Sequence, residues 1–147
     1  MLKHSETRFL PYTQQQLFEL VADIERYPEF LPWCIAARIT ERGEEVVKAD
    51  LIVGYKAFRE KFTSVVTLQP HRSIEVAYVS GPLSHLHNAW QFTAANGGCD
   101  LGFDLAFAFR TPFLAKMFGA FFEPAMTRMS QAFEDRAHQL YGKKGAS

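Results

Sequence analysis

Few side chains in this sequence are spaced for covalent or metal chemistry. His85 and His87 stand two residues apart, so on a strand both imidazoles lie on one face and could share a metal ion. No further ligand has a suitable spacing, and no metal site is expected. Cys34 and Cys99, with scattered histidines, give weak ground for a nucleophile. They also make neither a disulfide framework nor a metal-ligand pattern. There is no Gly-rich phosphate loop, no Gly-x-Ser-x-Gly and no His-Glu-x-x-His. What remains is a pair of polar residues, Glu60 and Asn88, that alternate with apolar neighbours. A buried charge is costly unless paired or solvated. Each is therefore either satisfied by backbone or by a partner such as Arg38, or it faces a roomy interior that admits water or a ligand.

The elements that must position them follow from periodicity. Residues 3–9 read as a first strand, at an edge, bounded by Pro11. Thr13 and Gln16 have capping-box spacing, with Tyr12 and Leu17 as the staple around a helix start. Leu17, Phe18, Leu20, Val21 and Ile24 supply its buried face. Asp23 is placed to cap a second short helix, expected to end near Tyr27 because Pro28 disfavours α geometry before it. The loop from Tyr27 to Cys34, held extended by Pro28 and Pro32, presents Tyr27, Phe30, Leu31 and Trp33. It is either packed on the core or a rim over a cavity.

From Ile35 onward the period becomes two, giving candidate strands at 35–41, 45–53, 57–68, 73–79, 85–94 and 100–109. Turn signals at Arg42-Gly43, Gly54-Tyr55, Pro70-His71, Gly81-Pro82 and Asn96-Gly97-Gly98 join them into an antiparallel meander. Alternation turns Phe58, Glu60, Phe62, Ser64, Val66 and Leu68 inward, with Arg59, Lys61, Thr63 and Thr67 outward. It likewise turns in Ile74, Val76 and Tyr78, then Leu86, Asn88, Trp90 and Phe92, then Leu101, Phe103, Leu105, Phe107 and Phe109.

A long amphipathic helix from Thr111-Pro112 to about Tyr141 closes the chain. Its apolar stripe is Leu114, Phe118, Phe121, Phe122, Ala125, Met129, Phe133, Ala137 and Leu140. Pro124 would clash with the carbonyl of residue 120, so a kink or a break is expected between Gly119 and Pro124. A sheet with one apolar face wrapping such a helix makes an α+β domain, taken as residues 1–141 with 142–147 a loose tail.

Composition sets the frame. A chain of 147 residues, 48% hydrophobic, has the size and apolar content of one domain with a substantial core. Its formal net charge is zero, which weighs against a general nucleic-acid binder, and no DNA partner is expected. Cysteine usage and the lack of a signal peptide point to a reducing cytosol. No window approaches the roughly 18 apolar residues of a membrane span.

The stretch Leu20-Val21-Ala22-Asp23-Ile24-Glu25-Arg26-Tyr27-Pro28-Glu29-Phe30-Leu31-Pro32-Trp33-Cys34 resembles the signature of the coenzyme Q-binding protein / ribosome association toxin A family, in the START-like, polyketide cyclase-type superfamily. Glu60-Lys61-Phe62-Thr63-Ser64-Val65-Val66, Gly81-Pro82-Leu83, Trp90-Gln91-Phe92 and Ala132-Phe133-Glu134-Asp135-Arg136-Ala137 support it. The resemblance implies a helix-grip fold: a bent antiparallel sheet gripping the C-terminal helix, with two short helices after the first strand and an elongated cavity between sheet and helix. It implies no cofactor chemistry. Mitochondrial members bind ubiquinone for delivery to respiratory complexes, and a bacterial relative is named as a toxin that blocks ribosomal subunit association. A first strand starting almost at Met1, with no Arg-rich transit segment, points to a bacterial origin.

On that resemblance the expected function is non-catalytic binding of a quinone or similar lipid, as a chaperone in the cytoplasm that touches the inner membrane at its periphery. Its pocket is expected among Phe62, Trp90, Phe103, Phe107, Phe121 and Met129, with Glu60 and Asn88 as polar points and Tyr27, Phe30, Leu31 and Trp33 at the mouth. The alternative is a ribosome partner using a basic surface of Arg38, Arg42, Lys56, Arg59 and Lys61. A third reading, an aromatase or cyclase, rests on fold analogy.

Overall fold

The computed structural model describes residues 2–55 and 58–142. Lys56, the tip of the first long hairpin, the side chain of Phe58 and the expected tail beyond Gly142 lie outside the described residues.

Seven strands form one antiparallel sheet: β1 (Leu2–Leu10), β2 (Cys34–Arg42), β3 (Val46–Tyr55), β4 (Phe58–Gln69), β5 (Ser73–Ser80), β6 (Leu83–Ala95) and β7 (Gly98–Phe109). The order is β1-β7-β6-β5-β4-β3-β2, so β2 to β7 are the expected meander and β1 closes on β7 from the edge. Register shifts between Cys34 and Ala36, Ile39 and Glu41, Thr63 and Ser64, and Leu83 and His85 are the bulges through which such a sheet bends.

Between β1 and β2 lie the helix α1 (Gln14–Ala22) and a 3-10 helix over Ile24–Glu29. The capping box forms as the spacing predicts, with the Thr13 hydroxyl accepting from the Gln16 N–H at 3.0 Å and the Thr13 N–H donating to the Gln16 side chain at 3.0 Å. The second helix departs from expectation in two ways. Asp23 makes no side-chain cap, and the turn continues through Pro28 to Glu29. The tighter i→i+3 pattern tolerates proline there, and the Phe30 N–H then donates to the Tyr27 carbonyl at 3.1 Å.

The C-terminal helix is broken, not kinked. It forms α2 (Pro112–Gly119) and α3 (Phe122–Tyr141). The break lies just before Pro124, which becomes the third residue of α3. In a first turn the backbone N–H groups have no intrahelical partner, so proline there sacrifices no ladder bond. The Thr111 hydroxyl caps α2, accepting from the Leu114 N–H at 3.2 Å.

Side chains sort largely as alternation predicts. Glu60 and Phe62 face the interior while Arg59 and Lys61 are exposed. Thr63 is the exception, being buried on the other face, where its hydroxyl donates to Asp50 at 2.7 Å. Asp50 is its direct cross-strand partner on β3, so the pair cover each other. On α3 the buried residues are Phe122, Met126, Met129, Ser130, Phe133 and Ala137, whereas Leu140 is exposed. Ser130, absent from the apolar stripe, donates to the Glu6 carboxylate of β1. Gly142 is tied down, its carbonyl accepting from the Tyr12 hydroxyl.

Gly98 marks where β7 meets the end of β1. A Cβ there would stand 2.2 Å from the Leu10 carbonyl oxygen and 2.9 Å from the Pro11 Cα, both backbone atoms that must move to admit it. Gly98→Ala is expected to cost about 1–3 kcal/mol as an overpacking strain. At the neighbouring Gly97, with φ of 84° and nothing within 4 Å, the cost is conformational alone. Urea denaturation should rank Gly98→Ala as the more damaging; the reverse order would mean the β1–β7 junction yields freely.

Candidate functional site

A cavity of about 640 Å³ lies between the sheet and the broken helix. Ligand sites are typically about 300–1,000 Å³ and mostly apolar with a few polar groups. The sheet contributes Val53 and Gly54 of β3, Glu60 and Phe62 of β4, Leu83 and Leu86 of β6, and Leu105, Phe107 and Phe109 of β7. The helices contribute Leu114 and Phe118 of α2, and Phe122, Ala125, Met126 and Arg128 of α3. Phe121, in the break, and Trp33 complete the aromatic lining. Exposed Pro32, Phe121, Pro124 and Arg128 are among these residues, so the cavity reaches the surface.

The aromatic wall is ordered by ring contacts. Phe107 meets Phe109 and Phe122 edge-on, each at 5.3 Å between centroids. Phe109 stacks on Phe118 at 5.7 Å, which fixes α2 over the end of β7. Glu60 sits beside its cross-strand partner Val53 on the cavity wall. Among the described residues it has no ion pair or hydrogen bond, and the pairing with Arg38 does not form. Arg128 is the other charged residue of the lining.

The expected site residues separate into two groups. Glu60, Phe62, Phe107, Phe121 and Trp33 line the cavity. Trp90, Phe103 and Met129 do not; they border a separate void of about 20 Å³, room for a single water. There Trp90 lies edge-on to Phe103 at 4.7 Å and to Phe133 at 4.9 Å, packing beneath α3 as core. Asn88 faces inward but lies outside the lining, because its side-chain amide donates to the Asp104 carbonyl of β7 at 2.9 Å.

The loop expected at the mouth is mostly a clamp. Tyr27 and Phe30 meet Phe133 edge-on at 5.7 and 5.1 Å, and Leu31 is buried. Arg136 of α3 lies 5.2 Å over the Phe30 ring and donates to Glu29 at 2.8 Å. Glu29 also accepts from Arg26 at 2.8 Å, and these two hydrogen bonds, Arg26 first, hold its carboxyl below the usual range. The Tyr27 hydroxyl donates to the Val21 carbonyl, and burial raises its pKa well above the ordinary phenol value. Only Pro32 and Trp33 turn from this clamp to the cavity.

Both cysteines are buried thiols. Burial pushes Cys34 up to about 11 and raises Cys99 as well, the opposite of what an attacking thiolate needs. His85 and His87 are exposed on the outer face, and among the described residues no group of three metal-ligating side chains comes together.

Arg128, Pro82 and Leu83 are cavity residues not foreseen from the sequence. Arg128 had a readable signal: Phe121, Ala125 and Arg128 are spaced by four and three, the period of one helix face. Pro82 reads as a turn residue, and Leu83 lies between that turn and the strand expected at 85–94.

Four similarities to known proteins bear on this site. The family model described as polyketide cyclase / dehydrase and lipid transport matches residues 10–134. A protein of Pseudomonas aeruginosa named ribosome association toxin RatA is 41% identical over 134 residues, 90% of this chain and 93% of that one. The mitochondrial coenzyme Q-binding protein COQ10 homolog B of Xenopus laevis is 28% identical over 148 residues, 97% of this chain and 61% of that one. The solution structure of an 18 kDa protein from Caulobacter crescentus is 37% identical with a TM-score of 0.78, over 97% of this chain and 99% of that one. The fold is the helix-grip, START-like one.

Proposed function

Because the chain belongs to the polyketide cyclase / dehydrase and lipid transport family, we propose that its cavity holds a hydrophobic lipid-like ligand, with ubiquinone the foremost candidate, and that the protein acts as a quinone chaperone. The carrying observation is the cavity itself: about 640 Å³, aromatic and aliphatic walls, and two charged side chains. Burying an isoprenoid tail against such walls gains about 25 cal/mol for each Å² removed from water. The similarity to a protein named for coenzyme Q binding supports the headgroup.

Glu60 and Arg128 then have different roles. A quinone head presents carbonyl oxygens, which only accept hydrogen bonds. Arg128 is the donor such a head needs, whereas an ionised Glu60 offers acceptors alone. Arg128→Gln is expected to weaken quinone binding about tenfold, the worth of a hydrogen bond to a charged group. Glu60→Gln should leave binding unchanged or tighten it. Titration of both variants with a short-chain ubiquinone checks this, and a loss on Glu60→Gln with none on Arg128→Gln would reverse the assignment.

The reading is non-catalytic. Among the described residues no second carboxylate and no histidine lines the cavity beside Glu60. The direct test is to purify the protein natively, extract it with organic solvent and identify bound lipid by mass spectrometry. Recovery of a quinone supports the proposal; repeated recovery of no apolar molecule defeats it.

A second reading makes a ribosomal subunit the partner. The similarity to a protein named ribosome association toxin favours it, as do the exposed Arg38, Arg59 and Lys61 on the outer face. Arg42 lies 3.5 Å from Glu25. The zero net charge weighs against broad polyanion binding. Ribosomal subunit profiles on expression would show a loss of joined ribosomes if this reading holds.

A further inference from the structure

α2 carries two faces. Leu114 and Phe118, continued by Phe121, point to the cavity. The adjoining face presents Phe113, Lys116 and Met117, at the spacing of neighbours on a helix. No residue of α2 is buried, and Phe113 is 64% exposed, the most exposed large apolar side chain among the described residues. Phe121, in the break that follows α2, is 39% exposed.

The charge around it is not that of the whole molecule. The chain carries 16 cationic and 16 acidic residues, yet residues 110–122 hold Arg110 and Lys116, each three positions from Phe113, and no acid. Among the described residues neither of these two cations is ion-paired. An apolar projection flanked by cations complements an anionic bilayer, where the aromatic enters the headgroup layer and the cations meet lipid phosphates. The Ala120-Phe121 break joins α2 to α3 without a continuous ladder.

We propose that the outer face of α2 docks the protein on anionic lipid membranes and that this brings the cavity opening to the bilayer. The proposal rests on reading the cavity as a lipid site.

Flotation of the intact protein with phosphatidylcholine vesicles, with and without phosphatidylglycerol, tests it. Binding is expected only with the anionic lipid and should weaken as salt rises. Phe113→Ser should weaken it about tenfold or more through lost apolar insertion. Lys116→Glu should weaken it by a similar factor by reversing a charge at the surface. Both positions are exposed, so circular dichroism and melting should match the parent. Absence of binding to either vesicle, or full binding by Phe113→Ser, overturns the proposal. Binding lost in Lys116→Glu but kept in Phe113→Ser also overturns it, in favour of a charge-only surface such as RNA. Vesicle binding without quinone binding leaves the docking intact and defeats the cavity reading; quinone binding without vesicle binding does the converse.

Discussion

Phe133→Ala should lower the free energy of unfolding by about 3–5 kcal/mol, and Phe121→Ala by clearly less, while only the latter loses bound quinone. Phe133 is 4% exposed and meets Tyr27, Phe30 and Trp90, three rings from two parts of the chain. Truncating it removes contacts on every side and leaves a void that rigid neighbours cannot fill. Phe121 is 39% exposed and borders the open cavity, so less of its surface is buried than that of Phe133. Chemical denaturation and quinone titration of the same two proteins check both halves. Equal destabilisation with equal ligand retention would mean the cavity wall is ordinary core.

A complementary pair adds volume. Ala125 lines the cavity on α3, and Ala137, three turns further along the same helix, is 0% exposed. Ala125→Trp places an indole into open space, so it should leave the melting temperature near that of the parent and block ligand entry. Ala137→Trp forces a large ring into a site with no room. Overpacking by even a few methylenes costs about 1–3 kcal/mol, and a whole indole should exceed that or prevent folding. If Ala125→Trp unfolds the protein as readily as Ala137→Trp, the space between sheet and helix is not available to a ligand.

Much of this architecture could be read from the residues. The alternation of Arg59, Glu60, Lys61 and Phe62 placed an acid on an apolar wall, and the wall is there. Thr13 with Gln16 started a helix where the spacing said, and Pro124 announced an interruption before it. Alternation assigns a face, however, and not a depth. Trp90 and Phe103 share the inner face with Leu86 and Phe107, yet the first two border the small void beneath α3 and the others line the cavity. That division depends on where the helix breaks, a property of the assembled sheet and helices. For Asn88 the reading left open a backbone partner or a role as a polar point; its amide finds a carbonyl on the next strand, a partner that a sequence without register does not name. The Tyr27–Leu31 loop was open between lid and core, and Phe133 with Arg136 decides for core.

The most direct measurement uses the chain's two tryptophans, which fall one in each region. Trp33 lines the cavity and Trp90 is packed beneath α3. Quinones quench indole fluorescence at short range, so titrating the parent and Trp33→Phe with a short-chain ubiquinone reports where it binds. Saturable quenching in the parent that is largely lost in Trp33→Phe is the predicted result. No saturable quenching in the parent, or equal quenching in Trp33→Phe, would contradict the quinone cavity.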